Sequence, residues 1–176
     1  MPAASSADED LTALLTLLQI ENNSNQNSNW VSYPLIIGAV TASPSKATTP
    51  DVDSAFWRRS GDSMEITYTY IHTNNAGAAA GTGIYLFSLP SGYTIDSSKV
   101  VVSADTQTGI VGSMAVETVA EGKAGGALAT YTNTALASRA ANSSLDGDVG
   151  SALFDLADTT VKYSFSARVP ILGWSN

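Results

Sequence analysis

The chain has 176 residues, a formal net charge of −8, eight Lys and Arg against sixteen Asp and Glu, and no cysteine. This length sets one domain with room for an arm, able to bury a core without disulfide or metal. The missing cysteine excludes thiol redox chemistry, zinc–thiolate centres and disulfide frameworks. The acidity leaves no large basic patch, so neither nucleic acid nor an anionic membrane is an expected partner. No run of about 20 apolar residues marks a transmembrane helix.

The start, "MPAASSADEDL", is acidic before its apolar run and lacks the positive segment of a secretory signal. Ser6 and Glu9 fit a capping box, and Asp8, Glu9 and Asp10 suit the positive end of a helix dipole. Leu11, Leu14, Leu15 and Leu18 then fall on one face at helical spacing, which predicts a helix over about residues 7–20. So short a helix is marginal alone in water. It needs cover from its own domain, from copies of itself, or from a larger partner. "ENNSNQNSN" cannot build a core and reads as a tether. Residues 1–29 are therefore an arm, and 30–176 the main domain.

From Trp30 the apolar period becomes two. "WVSYPLIIGAV" predicts a strand broken near Pro34, and "TASPSKATTPDVDS" a loop. In "SMEITYTYIHT", Met64, Ile66, Tyr68 and Tyr70 face one side and Glu65, Thr67 and Thr69 the other. "NNAGAAAGTG" reads as a flexible connection, "IYLFSLP" as an apolar strand ended by Pro90, and "SGYTIDSS" as a turn. Short strands are predicted at "KVVVSA", "IVGSMAVETVA", "ALATYTN" and "ALASRA". In the last strand, Val161, Tyr163, Phe165, Ala167 and Val169 alternate with Lys162, Ser164, Ser166 and Arg168. Many short strands without interleaved helices predict an all-β antiparallel β-sandwich, jelly-roll-like, with a short N-terminal α-helix.

Candidate chemistry is sparse. The single histidine, His72, follows its strand in a polar turn, where a surface or structural role is expected; no GxSxG elbow accompanies it. Asp62 and Glu65 are close in sequence, but nothing marks them as a glycosidase pair. Asp146 and Asp148 in "SLDGDVGS" are too few for a Ca²⁺ loop and predict an Asp-Gly turn. "AGAAAGTG" lacks the phosphate-loop pattern. No catalytic residue, cofactor or metal is expected. Arg58 and Arg59 must point to opposite faces if they lie on a strand, and with Asp53, Asp62 and Glu65 nearby they predict ion-paired bracing of a strand and its turn.

Several pieces recur in a fixed order. They are a W-x-x-Y-P opening at Trp30, Tyr33 and Pro34; a W-R-R-x-G-D turn at Trp57, Arg58, Arg59, Gly61 and Asp62; and a G-x-Y-x-F-x-L-P strand at Gly83, Tyr85, Phe87, Leu89 and Pro90. A G-Y-x-I-D turn at Gly92, Tyr93, Ile95 and Asp96 and a V-P-I-x-G-W-S end from Val169 to Ser175 complete the set. Together they resemble a jelly-roll module of tailed-bacteriophage virion proteins, found in tail spikes and fibres and in capsid-stabilising decoration proteins. The resemblance implies a homotrimer, no shared catalytic residues, and a structural role for Trp30, Trp57, Arg58, Arg59, Asp62, Tyr85, Pro90 and Trp174. A chain with only a short helix and a tether before the module fits a decoration protein in the virion, on the capsid surface. Leu11, Leu14, Leu15 and Leu18 would then dock on the major capsid protein. The alternative is the receptor-binding tip or a structural domain of a tail fibre or spike, with "NNAGAAAGTG" and "SADTQTG" touching a host surface glycan.

Overall fold

The structure is a computed structural model and describes residues 10–18, 27–100, 109–141 and 146–174. The helix α1 covers residues 10–18; the proposed Ser6–Glu9 capping box lies outside the described residues. Ten strands follow: β1 (Val31–Ser32), β2 (Ile37–Ala39), β3 (Val52–Ser60), β4 (Ser63–His72), β5 (Tyr85–Ser88), β6 (Ile110–Thr118), β7 (Gly122–Thr132), β8 (Ala135–Ala141), β9 (Asp146–Asp148) and β10 (Val161–Pro170). They form a single antiparallel sheet in the order β1-β3-β4-β10-β6-β7-β8-β5-β2, with β9 beside β8. The all-β, sandwich-like fold is thus made by one sheet curled into a half-barrel.

Pro34 explains how the ends of this sheet are placed. It has no N–H to give a ladder, so the apolar segment around it cannot run as one paired strand. The half before it pairs with β3, where the Tyr33 N–H donates to the Ala55 carbonyl at 3.1 Å. The half after it pairs with β5, where the Ser88 N–H donates to the Ile36 carbonyl at 3.0 Å. One broken segment therefore supplies both outermost strands.

The core sits inside the curl. β4 points Met64, Ile66, Tyr68 and Tyr70 inward, and β10 points Val161, Tyr163, Phe165, Ala167 and Val169 inward. β5 lies across from them: the Phe87 ring is 6.4 Å from Tyr68, 6.3 Å from Tyr163 and 5.4 Å from Phe165. These tilted and edge-on pairs are favoured by the aromatic quadrupole. β3 and β4 form a tight hairpin, Ser60 opposite Ser63, turned by Gly61 and Asp62. Gly61 has φ 65°, which suits the first central position of a type II′ turn.

Three loop expectations need revision. Ser97–Lys99 is a 3₁₀ turn rather than the start of a strand, and residues 101–108 lie outside the described residues. The Asp-Gly pair of "SLDGDVGS" lies in β9, hydrogen-bonded to β8, and not in a bare turn. The "NNAGAAAGTG" connection is zipped to the preceding loop by the Ala42–Thr82 and Ser45–Ala79 bridges. Small residues permit this close backbone approach.

Candidate functional site

The arm comes first. Leu11, Leu14, Leu15 and Leu18 are 57%, 55%, 59% and 53% exposed, and Leu17 beside them 59%. The helical spacing is present, but the β domain does not cover the apolar face. The tether is partly built into the domain: the Ser28 N–H donates to the Arg59 carbonyl at 3.1 Å, and Asn27 bridges Ser60. Pairing with the domain thus begins ahead of Trp30.

The motif residues converge on one end of the sandwich. The β3–β4 turn, the 93–96 segment and the end of the chain meet there. The Ile171 N–H donates to the Asp62 carbonyl at 3.0 Å, the Asp96 N–H to Pro170 at 2.9 Å, and the Leu172 N–H to Thr94 at 2.8 Å. Trp57, Tyr93 and Trp174 stack together, with centroids 4.9 to 6.3 Å apart. Arg59 lies over Trp174 at 5.0 Å and donates from Nε to the Gly61 carbonyl at 2.8 Å. Arg58 points to the other face, over Trp30 at 4.8 Å, and its Nε donates to Glu65 at 2.6 Å. The two neighbours diverge because strand side chains alternate. Hydrogen bonds from Ser63 and then Lys99 hold the Asp62 carboxyl below the usual carboxylate range, against the opposing effect of burial.

Tyr85 sits apart from that end, in the core layer, whereas Pro90 adjoins it through Tyr93. The Tyr85 hydroxyl donates to the Ala80 carbonyl at 2.6 Å and accepts from the Leu156 N–H at 3.1 Å, tying two loops together. Pro90 is buried, and its carbonyl accepts from the Tyr93 N–H at 3.4 Å.

His72 is not a surface residue in a turn. It is the last residue of β4 and fully buried. Its Nε2 is 2.9 Å from the Asp158 carbonyl, which can only accept, so Nε2 carries the proton. Nδ1 then accepts from the Tyr70 hydroxyl at 2.9 Å, and that hydroxyl accepts from the Ala47 N–H at 2.9 Å. Both nitrogens are committed to holding loops on the sheet. The signal was available: period two carried on from Tyr70 places His72 inward.

Lys46 had no such signal. From inside the 40–51 loop its Nζ donates to the Leu35 carbonyl at 2.7 Å and to both Asp53 oxygens at 2.8 Å, beside the Tyr68 and Tyr70 rings. Tyr68 also donates to Asp53, at 3.1 Å.

In comparisons with known proteins, no family model, no curated protein and no solved structure matches this chain. Its function therefore rests on its own residues.

Proposed function

We propose that the chain is a non-enzymatic virion structural protein: a homotrimeric decoration protein that stands on a phage capsid and docks on the major capsid protein through α1. The observation carrying this reading is the exposed leucine face of α1. Burying a leucine is worth roughly 1.5–3 kcal/mol, so a face of four or five is a large unused association energy. A helix of this length also needs a partner to persist. The β domain suits a mechanical role, because its turn, its 93–96 segment and its C-terminal segment are locked together at one end.

The test removes residues 1–26 and keeps Asn27 and Ser28, which pair with β3. The shortened protein should melt as the full chain does and fail to bind capsid shells lacking the protein. Undiminished binding would overturn the docking role of the arm. A tail receptor-binding role is the second reading, favoured by the exposed aromatic residues Trp30, Phe56 and Tyr131.

A further inference from the structure

The outer face of β3, β4, β10 and β6 carries a groove used neither by the arm nor by the locked end. Strand registers set its side chains in rows. One row runs Arg58, Glu65 and Arg168, with Trp30 laid over Arg58. The next runs Phe56, Thr67, Ser166 and Ser113. Trp30, Glu65, Thr67, Ser113, Ser166 and Arg168 line a shallow, open groove of about 410 Å³. Gly112 lines it without a side chain; a Cβ there would lie 2.0 Å from the Ser166 carbonyl oxygen.

The charges in this groove are unequal. Glu65 is already neutralised by Arg58 at 2.6 Å. The Arg168 side chain, by contrast, makes no hydrogen bond and no close ion pair among the described residues, although its charge reaches Asp62, and it is exposed. The result is an exposed guanidinium whose hydrogen-bond donors are open to a ligand, on a protein of net charge −8. Around it stand three hydroxyls and an indole that is 44% exposed. A guanidinium fork matches a carboxylate, hydroxyls match hydroxyls, and an indole covers an apolar ring face. The serines argue against a second copy of the chain here, since the cores of protein interfaces are depleted in Ser.

We propose that this groove binds a carboxylate-bearing saccharide. The sugar ring lies on Trp30, its hydroxyls meet Thr67, Ser113 and Ser166, and its carboxylate meets Arg168. The site stands independently of where in a particle the protein resides.

The test titrates a short oligogalacturonate, and separately the neutral galactose oligomer of the same length and linkage, into the full chain. The Trp30 indole N–H is followed by NMR. The acidic sugar should bind at least about tenfold more tightly than the neutral one, as a charge-assisted contact implies. Arg168→Gln should lower its affinity to the neutral level, and Trp30→Ala should abolish both interactions with the thermal melt unchanged. Equal affinity for the two sugars, no binding of either, or indifference to Arg168→Gln would overturn the proposal. So would a Trp30 resonance that moves with protein concentration alone, which would give the face to a second copy.

Discussion

Lys46 shows how one cation fixes a loop whose acceptors come from both sides of it, Leu35 and Asp53. Replacing it by Met removes the charge but keeps the stem. The Leu35 carbonyl then loses its donor and Asp53 keeps only Tyr68. Hydrogen bonds to charged groups are worth about 1.5–3 kcal/mol, and the partial exposure of both side chains lowers this. Lys46→Met should therefore cost about 1–2 kcal/mol in urea denaturation; an unchanged midpoint would mean that the contact is idle. Buried tyrosines shape the alkaline response. Burial pushes up the hydroxyls of Tyr33, Tyr68, Tyr70 and Tyr163, and that of Tyr85 to about 12. The unfolded chain ionises first, near pH 10. The stability these groups contribute is complete below that pH and is lost as pH rises through the folded values. Tyrosinate absorbance from them should appear together with loss of sheet circular dichroism. Their free titration near pH 10 with the sheet intact would contradict their burial.

Among the elements, β6 is the most sensitive to a single atom. Its ladder with β7 shifts register between Ile110 and Gly112, and at Gly112 it presses against β10. Gly112→Ala would overpack this contact, and a loss of about 1–3 kcal/mol is expected from the melt; a stable Ala variant would show that β6 can shift freely. The strands β4 and β10 were legible residue by residue. Each has one face in the core and one toward water, so period two is written in the sequence. β1 and β2 were legible only as one segment, because Pro34 marks a break but does not say which partner each half takes. His72 was misplaced by ending β4 too early, although the alternation reached it. Lys46 was missed because a charged residue in a loop carries no periodic mark. The groove was missed because its rows join strands distant in sequence, and register cannot be read without the turns and crossovers.

At the scale of the molecule, the sequence pointed to the fold class but not to the single curled sheet, nor to β10 lying between β4 and β6. Long connections set that order, and they carry little local signal. The motif pieces spread from Trp57 to Trp174 do meet in space, at one end of the sandwich. The exposed leucines of α1 leave an apolar face uncovered among the described residues. On the proposed function, a capsid lattice covers that face. The most direct measurement is copy number in purified virions, by quantitative mass spectrometry against the major capsid protein. The decoration role predicts copies comparable with the capsid protein. A few copies per particle, or none, would contradict it.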